Sequence, residues 1–363
     1  MRRFIILLLP PALLAAAFYI LRGTLSVMDF AWRRIASVWR FAAGHLTSYL
    51  PFSLMETAGT ALALLLAALL IALIVALFRR RGVFRALRRL GAFVVVIAYG
   101  AAIFIWAFLP GYYAQPTYTD ALERRNISAE EIASALTFFR DRANSLSGSV
   151  KRDGDGRFAE SIDDIITLSE LVYGDTELEF PRLSASRARP KKMLYSELMS
   201  RTRFTGIYFA LTGEANINVH SPRAFLPFTA AHELAHSRGA AREDEANFFA
   251  VAACLTSNVT VYEYSGCLAA VSYLGGALAE ADIYAFADIT AGYGEYVVRD
   301  LDDSRSYWFE IEEKNAEAPA VAAFADAVNE TYDAYLRANG QDDGMRSYGE
   351  CVDLLTVWAL RRI

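Results

Sequence analysis

Residues 232–236 read His232-Glu233-Leu234-Ala235-His236, and this stretch decides the local fold and the chemistry open to the chain. The preceding run, 224–231, lacks the alternation of a strand, and Pro227 suits a first helical turn, where its missing amide is no loss. We therefore predict a helix that continues through His236. On such a helix the two imidazoles lie on one face, with Cβ atoms about 5 to 6 Å apart, so both rings can bind one metal ion.

The pattern His-Glu-x-x-His is typical of zinc hydrolases. Zinc accepts imidazole and carboxylate ligands, although cobalt and manganese use similar donors. A bound zinc ion acidifies water and polarises a carbonyl group, and Glu233 is placed to take the water proton and pass it to a leaving amine. We therefore expect one Zn²⁺ per chain and a peptide or protein substrate.

A catalytic zinc site needs a third protein ligand. If the helix stayed straight from His236 to Glu243, about 10 Å would separate the two residues. Gly239 can adopt the left-handed conformation that ends a helix. The sequence therefore predicts a break at Gly239 and a second helix that folds back toward the metal, with Glu243 and Asn247 on one face.

The run 242–247, Arg-Glu-Asp-Glu-Ala-Asn, together with the motif resembles the gluzincins, a group of zinc peptidases. The resemblance implies that Glu243 is the third ligand and that Asn247 replaces a carboxylate that orients a ligand histidine. Glu245 is the competing third ligand. The metzincin pattern would need its third ligand at position 242, which is an arginine.

The oxyanion formed during hydrolysis needs a hydrogen-bond donor besides the metal. Tyr208, His220 and Tyr348 are candidates for this role. A tyrosine or histidine outside the motif more often only packs against its neighbours.

A content of 55% hydrophobic residues indicates membrane segments. Three stretches are long and apolar enough to span a bilayer: 4–21, 57–78 and 91–109. The first resembles a signal peptide in its position, but the absence of a clear cleavage site favours an uncleaved span. Residues 25–50 mix aromatic residues with arginine and predict an interfacial amphipathic helix; a helix packed on the spans is the alternative.

Arginine placement predicts the orientation in the cell membrane. Six arginines lie between the second and third spans and two lie at the N-terminus, so both regions should be cytoplasmic. Residues 1–109 then form a membrane domain and residues 110–363 an extracytoplasmic domain. Residues 1–109 hold 12 arginines and 2 acidic residues, a net charge of +10. The net charge of the whole chain is −5, so residues 110–363 carry a net charge of −15. A domain this acidic is not expected to bind nucleic acid.

The predicted fold is a mainly α membrane protein, with N-terminal transmembrane helices and an α+β zincin-like domain containing a small sheet. Residues 205–219 are rich in aromatic and β-branched types and are divided by Gly213, which predicts a hairpin or an edge strand. Ser128 and Glu131 predict a capping box. Cys254 and Cys267 are a plausible disulfide pair; the alternative is three buried thiols.

The chain as a whole resembles an uncharacterised family of bacterial integral-membrane proteins that is grouped as a domain of unknown function. The segments that carry this resemblance are 51–54 (PFSL), 226–229 (LPFT), 242–247 (REDEAN) and 343–349 (DGMRSYG). It implies a membrane-anchored, gluzincin-like peptidase. The alternative function is a non-catalytic zinc-binding membrane sensor or scaffold.

Overall fold

A computed structural model describes residues 2–341 and 351–363 of the chain. The first helices of the chain are α1 Arg2–Leu21, α2 Leu25–Phe30, α3 Ser37–Ser48, α4 Leu54–Phe78, α5 Val83–Phe108, α6 Pro110–Tyr113, α7 Ala129–Leu146, α8 Ile162–Leu168 and α9 Gly174–Glu179. They are followed by β1 Pro190–Lys192, α10 Ser196–Arg201, β2 Gly206–Phe209, β3 Glu214–Ile217, α11 Leu226–Ser237, α12 Glu243–Thr256, α13 Thr260–Ala281, α14 Ile283–Thr290, α15 Glu295–Ala316, α16 Pro319–Ala338 and α17 Val352–Leu360. The predicted mainly α architecture with a small sheet is confirmed.

Among the described residues, the helices α1, α4 and α5 are long and apolar enough to cross a membrane. Their side chains are largely exposed, which suits a lipid environment and supports association of the chain with a membrane. Helix α5 begins at Val83, well before the apolar stretch predicted from Gly91. The reason is that arginine is a good helix former, so the helix starts among the arginines, before the uncharged stretch begins.

The segment between α1 and α4 forms α2, a π-helical turn at Ala31–Ala36, and α3. One face of this segment is buried: Trp32 donates its indole N–H to the Gly239 carbonyl at 3.1 Å. The opposite face exposes large apolar side chains, among them Phe30 and Val38. The packed alternative is therefore present, and the partner of the buried face includes the polypeptide after the metal-binding motif as well as the spans. The interfacial position of the exposed face stays a prediction.

The sheet has the strand order β1-β3-β2. β1 runs parallel to β3, and β2 pairs with β3 as an antiparallel hairpin in which Tyr208 lies opposite Ala215. Gly213 turns the hairpin with φ +66°, a conformation that favours glycine. The predicted hairpin is confirmed, and β2 is an edge strand.

Helix α11 is buried along its whole length. It packs against α12, α13 and both strands of the hairpin, and the outer helices α7 and α17 close the core. The capping box of Ser128 and Glu131 is present at the start of α7. The three cysteines are free and buried, so the disulfide expectation was wrong.

Candidate metal centre

The two histidines of the motif lie on adjacent turns of α11, as predicted. Pro227 occupies its first turn, and the helix ends at Ser237. The Nε2 atoms of His232 and His236 are 3.1 Å apart, and both side chains are buried. The two imidazoles therefore present nitrogen atoms to the same point inside the protein.

The chain reverses direction directly after α11. Gly239 has φ +105°, in the left-handed region that glycine favours, and α12 begins at Glu243. This reversal brings Oε2 of Glu243 to 3.2 Å from Nε2 of His232 and 3.6 Å from Nε2 of His236. The predicted helix break and the return of the second helix are both confirmed.

The three side chains fit a divalent metal ion. One ligand atom from each of His232, His236 and Glu243 lies within 4.8 Å of the other two. Oε2 of Glu243 is buried and faces the two imidazole nitrogens, and a carboxylate oxygen buried in this way is costly unless a cation compensates its charge. Two imidazoles and one carboxylate are also a donor set that zinc accepts. The three side chains together are called the metal cluster below; the term refers to these residues and not to bound ions.

The metal cluster is held by contacts that the sequence did not indicate. Nδ1 of His236 lies 2.6 Å from the Ala240 carbonyl, so this nitrogen carries the proton and Nε2 is free to bind a metal. The Tyr332 hydroxyl, on α16, donates to Oε1 of Glu243 at 2.7 Å. Asn247 is buried one turn after Glu243. For His236 the orienting role expected of Asn247 is filled by a backbone carbonyl; for His232 it stays a prediction.

Glu233 lies beside β2. A Cβ atom placed on Gly206 would lie 2.8 Å from Cγ and 2.9 Å from Cδ of Glu233, so only glycine leaves room for this carboxylate. Burial raises the pKa of Glu233 to about 7, and the Glu243 carboxylate acts in the same direction. The neighbouring imidazoles and a backbone hydrogen bond from Tyr208 oppose this rise. A carboxyl with such a pKa can both accept and release a proton near neutrality.

The competing ligand Glu245 does not belong to the metal cluster. Its Oε2 accepts the backbone N–H of Thr117 at 3.2 Å. Burial raises the pKa of this carboxyl to about 7, and the adjacent Asp244 adds to the rise. Glu245 therefore joins α12 to the segment after α6, and of the two predicted alternatives only Glu243 reaches the histidines.

The three candidate oxyanion donors have different positions. The Tyr208 ring is stacked on His236 with centroids 6.2 Å apart, and its buried hydroxyl has no hydrogen-bond partner among the described residues. His220 has a half-exposed side chain and its Nδ1 lies 3.6 Å from the Glu197 carboxylate. Tyr348 lies outside the described residues. Tyr208 is the candidate that adjoins the metal cluster.

The end of the third apolar helix reaches the same place. The Phe108 ring lies 6.3 Å from the His236 ring and 6.1 Å from the Tyr208 ring. The Gly239 carbonyl accepts hydrogen bonds from Trp32 and from the Thr117 hydroxyl, each at 3.1 Å. One wall of the site is thus built from the polypeptide that continues the membrane helices.

Comparison with protein-family models gave a match over residues 33–356 to a family described as "Protein of unknown function (DUF3810)". Comparisons with curated proteins and with solved structures found no match.

Proposed function

Because the chain belongs to this family of unknown function (DUF3810), we propose its function from the site: a membrane-anchored, zinc-dependent peptidase with a gluzincin-like site. The observation that carries the proposal is the buried Glu233 carboxylate between two histidines that converge on Glu243. A purely structural zinc site has four protein ligands and no use for such a base. The arginine distribution supports an extracytoplasmic position for this site.

His232, His236 and Glu243 would hold the zinc ion. When bound, zinc acidifies water and polarises the carbonyl group of a substrate. Glu233 would accept a proton from the attacking water and deliver it to the nitrogen of the breaking C–N bond. Hydrolysis then yields one carboxylate and one amine product.

Two features of β2 support a polypeptide substrate. β2 is an edge strand beside Glu233, and an extended peptide can pair with the free edge of such a strand through its main chain. Tyr208 on β2 has a buried hydroxyl without a hydrogen-bond partner among the described residues, so it is able to donate to an oxyanion.

The proposal is tested on the full-length protein in detergent or nanodiscs. Metal content is measured by elemental analysis, and hydrolysis is measured by mass spectrometry on a mixed peptide library. The variants are Glu233→Gln and Glu243→Ala. Glu245→Gln is the matched control, because it also alters a buried glutamate of α12 but leaves the metal cluster unchanged.

We expect about one zinc ion per chain in the wild type, in Glu233→Gln and in Glu245→Gln, and loss of zinc in Glu243→Ala. Hydrolysis should occur in the wild type and in Glu245→Gln only. A folded wild-type protein without zinc would reject the zinc site. Zinc binding with no hydrolysis would favour the sensor or scaffold function. Hydrolysis that is unchanged in Glu233→Gln would reject Glu233 as the base of the proposed reaction.

A further inference from the structure

We infer that the metal cluster is fixed at the surface of the lipid bilayer, and that its substrates are membrane-anchored polypeptides cut within a few residues of their apolar segment. The substrate class rests on the proposed peptidase activity. The position of the site does not depend on that activity. We infer the position from two spans and from the contacts that join them to the sheet.

The first observation concerns α5. From Leu90, directly after Arg89, to Phe108 this helix has 19 uncharged residues, which at about 1.5 Å each cover about 28 Å. The hydrocarbon core of a bilayer is about 30 Å thick. Phe108 therefore lies at the edge of the hydrocarbon, and its ring is 6.3 Å from the His236 ring. The metal cluster is level with this edge.

The second observation concerns α4, which packs against α5. From Thr57, directly after Glu56, to Phe78, the last residue before the arginine cluster, α4 has 22 uncharged residues and covers about 33 Å, so Thr60 lies about one turn from the outer end of this stretch. The Thr60 hydroxyl lies 3.0 Å from the Tyr195 hydroxyl. The edge of the hydrocarbon on this span is therefore at the level of the polypeptide between β1 and α10.

That polypeptide and the first turn of α10 have the side chains expected at a lipid surface. Leu194, Tyr195 and Leu198 are 78%, 48% and 43% exposed. Tyrosine favours the boundary between lipid and water because its ring is apolar and its hydroxyl is polar. These three residues form the lipid-contact patch. Their neighbour is a membrane span, so the occupant of the patch is the bilayer itself.

Buried carboxylates join the sheet rigidly to α4. Glu214 of β3 accepts the N–H groups of Leu54 and Met55, each at 2.8 Å, and thus caps the start of α4. Glu56 of α4 in turn accepts the N–H groups of Leu194 and Tyr195, each at 2.8 Å.

Lys191 of β1 completes this connection. Its Nζ donates to Glu214 at 2.7 Å and to the Thr47 and Phe52 carbonyls at 2.6 and 3.0 Å. Separating Lys191 from Glu214 would leave a buried charge without its partner, which is costly. β2, which pairs with β3 and carries Gly206, therefore stays at one height above the membrane.

The substrate class follows from this fixed height. A peptide on β2 lies beside Glu233. In the same site, the His236 ring is 6.3 Å from the ring of Phe108, which marks the hydrocarbon edge. About 6 Å corresponds to roughly two residues of extended chain. A polypeptide that is held in the membrane places the peptide bonds next to its apolar segment at the height of the site, whereas a soluble polypeptide must first approach the lipid surface.

The position of the site is tested without any activity measurement. Single nitroxide labels are placed at Leu194→Cys and Leu198→Cys in the full chain in liposomes. Tyr284→Cys on α14 is the control, because Tyr284 is 87% exposed and α14 packs on α7 and α13. The native cysteines are buried and should stay unlabelled.

Labels at 194 and 198 should collide more with oxygen, which dissolves in lipid, than with a water-soluble nickel chelate, and the control should show the reverse. Water accessibility of both patch labels would overturn the proposed position.

The substrate class is tested in liposomes that contain the wild-type protein and a single-span peptide with a randomised 30-residue stalk. We expect cuts within about five residues of the span, and at least tenfold slower cutting of the same stalk without its span. When a ten-residue spacer separates span and stalk, the cuts should move into the spacer.

Cuts that stay with the stalk sequence, or equally fast cutting of the free stalk, would overturn the substrate class. If no stalk is cut at all, the proposed peptidase function itself is rejected, and the spin labels still decide the position of the site separately.

Discussion

Replacing Tyr332 by phenylalanine should weaken zinc binding without changing any ligand. The Tyr332 hydroxyl donates to Oε1 of Glu243 at 2.7 Å, and the Glu243 side chain is buried. A hydrogen bond to a charged group contributes about 1.5 to 3 kcal/mol, and groups that orient a metal ligand typically contribute about 10- to 100-fold in metal affinity. Because Tyr332 is half-buried, water can partly replace its hydroxyl. We therefore expect a loss near the lower end, about 10- to 30-fold.

The assay is competition for zinc between the full chain and a coloured chelator. Tyr335→Phe is the matched control, since Tyr335 lies on the same helix and is stacked on Tyr332 with centroids 6.2 Å apart. Its hydroxyl forms no hydrogen bond with Glu243, which accepts from Tyr332 instead. Unchanged affinity in Tyr332→Phe, or an equal loss in both variants, would refute the assigned role of the Tyr332 hydroxyl.

Three further predictions concern the site and its surroundings. Gly206→Ala should displace the Glu233 carboxylate, because the added Cβ would lie 2.8 Å from Cγ of Glu233. Peptide hydrolysis should then fall about 100-fold, while the zinc content stays unchanged. Normal hydrolysis would contradict the placement of Glu233. Zinc at about 100 times its dissociation constant should stabilise the wild type by about 2.7 kcal/mol and raise its Tm in a thermal melt, whereas an equal rise in His236→Ala would show that the ion binds elsewhere. The third prediction concerns the thiols of Cys254, Cys267 and Cys351. A maleimide reagent should not modify them in the native protein, because burial raises the pKa of all three, and it should modify all three after denaturation. Rapid reaction of the native protein would contradict their burial.

The local geometry of the site could be predicted from the sequence because short-range rules determine it. The spacing of His232 and His236 fixes their common face on any helix, and Gly239 permits the reversal that brings Glu243 back. Gly213 similarly marked the turn between β2 and β3.

The contacts made across long sequence separations could not be predicted in this way. Tyr332 follows Glu243 by 89 residues, and Trp32 precedes Gly239 by 207 residues. In the sequence, Tyr332 is one of several aromatic residues of a helical pattern, and nothing local distinguishes it from a residue that only packs. The carboxylates of Glu56 and Glu214 likewise gain their roles only when α4 and the sheet meet.

The packing of Trp32 on the chain after the motif has a consequence for any cut that separates the apolar helices from the rest of the chain. Trp32, Phe108 and Tyr112 share one buried cluster with Tyr208 and Ala241, so the part that carries the metal ligands uses side chains from its own anchor as part of its interior. A cut between the anchor and residue 117 would expose this interior to water and remove a wall of the site. Unlike a domain that stays folded after it is cut from its membrane helices, the part of this chain after residue 117 should lose the structure around the metal cluster when such a cut is made.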